Sequence, residues 1–268
     1  MDVFEVTRGD SPLILAMPHT GTFIPKGIAS QLNEAGRTLR DTDWHIEKLY
    51  QGLAPNATIV RALFHRYVVD ANRAPTDESL YPGQNTTGLC PVTDFDGNSI
   101  YLEGQEPDPD EVSSRRVKFH VPYHAAIAKE IKRVHERHGV VVLYDCHSIR
   151  SLIPFLFDGR LPDFNIGTNN GKTCAPAMEK NVTDICSNSE EFTSILNGRF
   201  KGGWTTRNYG HPEMNIHAIQ MELAQSTHLA QEKLPFDYSP QSAARIRPHL
   251  KNILEELTHQ ALEISKKG

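Results

Sequence analysis

The chain has 268 residues, 38% of them apolar and 23% charged. That balance excludes a disordered polymer and is enough to bury a sizeable core. The net charge of −5 lacks the basic excess of a nucleic-acid binder, and no apolar run reaches the about 18 residues of a membrane span. The opening Met1-Asp2-Val3-Phe4-Glu5 has no signal-peptide core, so a cytoplasmic protein is expected. The four cysteines (Cys90, Cys146, Cys174 and Cys186) form no C-x-x-C pair. Neither a thiolate zinc site nor a redox motif is indicated. Thirteen histidines are many for this length, which makes their positions informative.

The first apolar run, Pro12 to Met17, ends in Pro18-His19-Thr20-Gly21 and reads as a buried strand feeding a loop. Asp41 to Leu53 reads as a helix with Asp41 or Thr42 as cap. Ala57 to Leu63 and Tyr67 to Val69 read as strands, the second running into Asp70-Ala71-Asn72-Arg73-Ala74-Pro75. Residues 76–110 are rich in Pro, Gly, Asp, Asn and Thr and read as a long irregular loop, a feature usually tied to function. Residues 111–138 are helical in composition, interrupted by Pro122. The strongest strand signal, Val140 to Tyr144, leads into Asp145-Cys146-His147-Ser148. A strand near Asn165, helices over 175–187 and 189–198, and a strand over His217 to Leu223 complete the central part. The tail, 240–265, is an amphipathic helix with Ile246, Leu250, Ile253, Leu254, Leu257 and Leu262 on its apolar stripe. Apolar strands alternating with helices predict a single α/β domain over 1–268 with a mixed, largely parallel sheet. Ligands of such sheets bind beyond the carboxyl ends of the strands.

His19 and His147 both stand at such ends. A lone histidine there is more often structural. Two of them with acids at other strand ends suit zinc, whose catalytic sites keep three protein ligands and one open position. Asp41 and Asp43 could supply the acid, although spacing alone favours a helix cap. Glu222 interrupts the apolar segment Ala218-Ile219-Gln220-Met221-Glu222-Leu223. A buried carboxylate needs a partner or a raised pKa. It reads equally as a general base beside a metal site and as half of an internal ion pair with an arginine. Arg73, Arg150 and Arg207 follow strands or sit in Gly-rich loops, where guanidinium forks could hold substrate carboxylates. His120 and His124 share a helix face. Val121 stands where H-E-x-x-H would need Glu, so this pair reads as packing or substrate contact.

Together these segments resemble the N-formylglutamate amidohydrolase (deformylase) family of histidine degradation. The match comprises Pro18-His19-Thr20-Gly21, Asp41-Thr42-Asp43-Trp44-His45, Leu49-Tyr50 and Val69-Asp70-Ala71-Asn72-Arg73-Ala74-Pro75. It continues with Leu80-Tyr81-Pro82-Gly83-Gln84, Tyr144-Asp145-Cys146-His147-Ser148 and Leu161 to Thr168. It ends with Gly202-Gly203-Trp204-Thr205-Thr206-Arg207 and His217 to Gln225. The family is similar to the zinc carboxypeptidase and aspartoacylase architecture, whose first motif is H-x-x-E. Here Thr22 replaces that Glu, and Asp43, or else Asp41, is the substitute ligand. The resemblance implies hydrolysis of N-formyl-L-glutamate to formate and L-glutamate. It implies Zn2+ or another divalent ion on His19, Asp43 and His147, with Glu222 as base. Asn72, Arg73, Arg150 and Arg207 would hold the substrate carboxylates. The expected partner is a small N-formyl amino acid, with no nucleic acid and no membrane. A deacylase of N-formylaspartate, a carboxypeptidase-like hydrolase and an inactive zinc- or amino-acid-binding module are the alternatives. Oligomeric state and the roles of His45, His120 and His124 are not legible.

Overall fold

The computed structural model describes residues 2–79 and 83–266; Leu80-Tyr81-Pro82 lies outside them. The strands are β1 (Phe4–Thr7), β2 (Leu13–Met17), β3 (Thr58–Ala62), β4 (Val141–Ile149), β5 (Phe164–Gly167), β6 (Ser194–Leu196) and β7 (Ile216–Ala224). They form one seven-stranded sheet in the order β1-β3-β2-β4-β7-β5-β6. β3, β2, β4 and β7 run parallel. β1 lies antiparallel to β3 and β5 antiparallel to β7, while β6 runs parallel to β5.

The helices are α1 (Lys26–Gln31), α2 (Glu34–Arg37), α3 (Ile46–Tyr50), α4 (Pro109–Arg115), α5 (Val121–His138), α6 (Pro176–Ser187), α7 (Trp204–Tyr209) and α8 (Pro240–Ser265). Leu13-Ile14-Leu15-Ala16-Met17 is buried at every position, as a central parallel strand must be when both faces are covered. The period of two then divides its residues between two cores. Leu13, Leu15 and Met17 join Val142, Tyr144, Cys146, Ile219, Met221 and Leu223 under α3, α6 and α8. Ile14 and Ala16 join Val141, Leu143 and Ala218 under α5. Among the described residues no helix is long and apolar enough to cross a membrane.

Most expected elements occur, with informative exceptions. α3 starts only at Ile46, because His45 takes a left-handed conformation (φ 60) and no side chain caps the helix. Neither Asp41 nor Asp43 is therefore a cap. Tyr67–Val69 is a buried turn rather than a strand. Residues 189–198 are not helical: Ser194–Leu196 pairs with β5 as the sheet edge. The helical stretch before His138 is α4, a π-helical turn over Arg116–His120, and α5, with Pro122 directly after the π-helical turn in a continuous helical run; helix irregularities of this kind occur at prolines and π-bulges. On α8, Leu262 leaves the buried stripe and is 40% exposed. β1 had no clear sequence signal.

His217, on β7, accepts a hydrogen bond from Ala175 N (3.3 Å) at the start of α6. Burial lowers its pKa from 6.5 to about 4, so folding between those values expels a proton that the unfolded chain would hold. Stability from this residue is present above pH 6.5 and is lost as pH falls toward 4. Denaturant titrations of the wild type and His217→Asn should therefore give a stability advantage for the wild type that shrinks from pH 7 to pH 5. A pH-independent difference would show that His217 is not forced neutral.

Candidate active site

β4 and β7 pair with Asp145 opposite Gln220 and His147 opposite Glu222. All four lie on one face of the sheet, because their neighbours Tyr144, Cys146, Ile219, Met221 and Leu223 pack into the core on the other. Lower on the same face Val141, Leu143 and Ala218 are apolar. The face thus turns from apolar to polar toward the carboxyl ends of the strands. His19 enters just beyond β2. Asp43 arrives on the loop before α3, fastened by its backbone N–H to His19 O at 3.0 Å.

His19, Asp43 and His147 form a buried group whose donor atoms all lie within 4.8 Å of one another. Asp43 Oδ2 is 3.1 Å from His147 Nδ1 and 3.7 Å from His19 Nδ1. The outward nitrogens are held by two further acids: Asp70 Oδ1 at 2.8 Å from His19 Nε2, and Asp145 Oδ2 at 3.1 Å from His147 Nε2. Carboxylates behind imidazoles fix ring orientation and raise ligand basicity in metal sites. His19 Nδ1 is buried with no hydrogen-bond partner, a costly state that a cation would relieve. Two imidazoles and one carboxylate are the donor set of catalytic zinc. The residues therefore fit a divalent ion.

The electrostatics run in opposite directions at the two rings. Burial and the nearby Arg66 guanidinium hold His19 below the usual imidazole range despite Asp70 and Asp43. Burial also disfavours the charged form of His147, but Asp145, Asp43 and Glu222 outweigh it and push its pKa up. Glu222 is 6% exposed. Desolvation and the Asp43 charge raise it to about 8, against a lowering by His147. Its Oε2 accepts a hydrogen bond from Gln220 Nε2 at 3.1 Å. Among the described residues it has no arginine ion pair.

A cleft opens over this group, lined among others by His19, Asn72, Arg73, His147 and Glu222. Asn72 is clamped on all sides. Its Oδ1 accepts from Thr205 N (2.9 Å), its backbone O from Trp204 N (3.3 Å), and its Nδ2 lies 3.1 Å from His147 Nε2. Gly203 must be glycine here, since a Cβ would sit 2.3 Å from Asn72 Nδ2. His120 and His124 donate to the carbonyls of Arg73 (3.0 Å) and Ala71 (2.7 Å). They bracket the Asn72-Arg73 turn from behind and, among the described residues, belong to no metal group.

A family model described as N-formylglutamate amidohydrolase matches residues 11–229. A protein named N-formylglutamate deformylase from Pseudomonas aeruginosa is 44% identical over 257 residues, 96% of each chain. One of the same name from Pseudomonas putida is 42% identical over 256 residues, 95% of each chain. The chain belongs to the N-formylglutamate amidohydrolase family. The fold agrees. The crystal structure of an N-formylglutamate amidohydrolase from Ralstonia eutropha superposes with a TM-score of 0.79 at 21% identity, covering 100% of this chain and 98% of that one. A gene product of Agrobacterium tumefaciens gives 0.71 at 19% identity, covering 99% and 97%.

Two of the expected substrate arginines are not among the residues that line the cavity. Arg150 does not line it. Its guanidinium is engaged by Asp96, Nη1 to Oδ1 at 3.2 Å and Nη2 to Oδ2 at 3.1 Å. Arg207, on α7, is likewise absent from the lining, and its Nε donates to Gly202 O. Asp41 is outside the His–Asp–His group. Its Oδ2 accepts from Tyr67 OH (2.7 Å) and Phe95 N (2.9 Å), and burial raises its pKa to about 6. His45 Nε2 donates to Phe236 O. In place of the two arginines the lining includes Arg66 and Arg199. Arg66 could have been found in the sequence. It stands four residues before Asp70 and binds Asp70 Oδ2 at 2.5 Å, stacked 4.5 Å over the Phe95 ring. Arg199, in Gly198-Arg199-Phe200, carries no motif.

The geometry separates the acids by position: Asp43 is within the His–Asp–His group, Asp145 is behind His147, and Asp41 is outside. Asp43→Asn should abolish tight zinc binding, and Asp41→Asn should leave metal stoichiometry intact. Asp145→Asn should weaken zinc affinity about 10–100-fold, the usual effect of losing a carboxylate behind a histidine ligand. Competition with a chromophoric chelator measures all three.

Proposed function

We propose that this protein hydrolyses N-formyl-L-glutamate to formate and L-glutamate with the help of a divalent metal. The observation that carries the reading is the buried Glu222 carboxylate, opposite His147 of a His–Asp–His group and inside a cavity that also holds Arg73. The two Pseudomonas relatives, named for this activity and aligned along nearly the whole chain, support the substrate. The same reading puts the reaction in histidine degradation in the cytoplasm.

His19, Asp43 and His147 would hold the ion, with zinc favoured by the two-nitrogen, one-oxygen donor set. Bound there, such an ion supplies Lewis acidity toward water and toward the formyl oxygen. Glu222 takes a proton from the attacking water as its oxygen bonds to the formyl carbon. It then delivers that proton to the amide nitrogen as the C–N bond breaks, leaving formate and the amino group of glutamate. Burial makes the Glu222 carboxylate a stronger base than a carboxylate in water, and a cation on the facing group would favour the ionised form that takes the proton. Asn72 and Arg73 receive a substrate carboxylate, with Arg73 Nε anchored on Thr87 O at 2.8 Å. Asp70 and Asp145 keep the two imidazole rings oriented.

Formate release from N-formyl-L-glutamate, before and after chelation and after zinc is restored, tests the reading. Release should vanish with the chelator and return with zinc. Glu222→Gln should retain zinc and lose about 10²–10⁴-fold in kcat. N-formylaspartate and N-acetylglutamate should be poorer substrates. Binding without hydrolysis by a folded, zinc-loaded sample would overturn the proposal in favour of a binding module.

A further inference from the structure

We propose that Arg199 is the specificity-determining residue that receives the side-chain carboxylate of the substrate, an assignment that rests on N-formylglutamate being that substrate. A substrate with two carboxylates calls for two cations. Arg150 is occupied by Asp96, and neither it nor Arg207 lines the cavity. The guanidinium groups that do are those of Arg66, Arg73 and Arg199. Arg66 is committed to Asp70, 2.5 Å away, with Asp43 at 3.9 Å. Arg73 and Arg199 are the other two arginines of the lining; Arg73 donates to Thr87 and Arg199 to the Leu156 and Asn85 carbonyls, all neutral acceptors.

Bond connectivity divides the two carboxylates between them. The formyl carbon must sit beside Glu222 and the His–Asp–His group. The α-carboxylate is on the carbon bonded to the reacting nitrogen, and the side-chain carboxylate lies two methylenes further out. Arg73 adjoins Asn72, whose Nδ2 is 3.1 Å from His147 Nε2, so it serves the near carboxylate. Arg199 comes from the loop after β6 and lines the cavity together with Asn85, Leu156 and Phe200; with Arg73 serving the near carboxylate, it is assigned the outer one. Its Nε donates to Leu156 O (3.0 Å) and its Nη2 to Asn85 O (2.9 Å). Asn85 Nδ2 in turn donates to Phe155 O at 2.8 Å. Two segments distant in sequence thus hold the guanidinium of a third before substrate arrives. A fork held in place and partly shielded from water loses little entropy on pairing with a carboxylate.

The test compares N-formyl-L-glutamate with N-formyl-L-norvaline, which lacks the side-chain carboxylate. The quantity read is the selectivity ratio, from kcat/KM values or from the inhibition constant of N-formylnorvaline where its turnover is slow. Arg199→Met should reduce that ratio by about ten- to a hundredfold, the worth of a hydrogen-bonded charge. Arg199→Lys, which keeps the charge but not the fork, should fall between Met and the wild type. A merely structural role in tying the three segments would weaken both substrates together and leave the ratio unchanged, which would overturn the assignment. Should the Met variant fail to fold, the ratio of the Lys variant decides. Wild-type protein that releases no formate from N-formylglutamate overturns the parent reading and this one with it. Normal wild-type turnover with an unmoved ratio overturns only the role of Arg199.

Discussion

Carboxylates resist leaving water, and this protein buries four of them in one place. Asp43, Asp70, Asp145 and Glu222 are each between 0 and 6% exposed. An unpaired charge in such surroundings would cost more than most single interactions return. The surrounding structure can be understood as an answer to that difficulty. Arg66 binds Asp70, the two histidines meet Asp70 and Asp145, and Glu222 is driven toward its protonated form. One guanidinium does not balance the remaining negative charge. A divalent ion among His19, Asp43 and His147 would, and in that sense the site is organised around a charge as much as around a substrate.

The β4–β7 pairing gives this arrangement its precision. Register puts His147 against Glu222, and a slip of one residue between the strands would send one of them to the opposite core. The loops supply the rest. Asp43 is fastened by its backbone to His19, and Asn72 is enclosed by α7, Gly203 and the two histidines of the π-turn and α5. Those histidines are held neutral by burial, His124 at about 3. They hold backbone carbonyls without adding charge near the cavity.

Much of this was legible in the sequence. The apolar strands, the polar residues that interrupt their ends and Glu222 within an otherwise apolar run follow from periodicity and desolvation. The relations that failed to show depend on parts of the chain meeting only in three dimensions. Arg150 looked available because it stands three residues after His147, but the 94–98 turn brings Asp96 onto it. Tyr67–Val69 has strand-like composition and is fully buried, yet it pairs with no strand and shapes the turn that presents Asp70. Asp41 and Asp43 are two residues apart and indistinguishable by type. The left-handed His45 and the contacts of the loop decide that one faces the histidines and the other faces Tyr67 and Phe95.

Cys146 is placed between two groups of the site in sequence, Asp145 and His147, and the pleat points it to the other side of the sheet. There it packs among Tyr144, Met221 and Ile219, and burial raises its pKa, which disfavours the thiolate. Sulfur is the softest donor this chain possesses, and as thiolate it would compete strongly for zinc. The alternation of a β-strand therefore acts as insulation. It keeps a high-affinity ligand within one residue of the histidine yet chemically out of reach. A thiophilic ion would gain no foothold through that sulfur, and the harder nitrogen and oxygen donors would set the selectivity for any ion held by the His–Asp–His group.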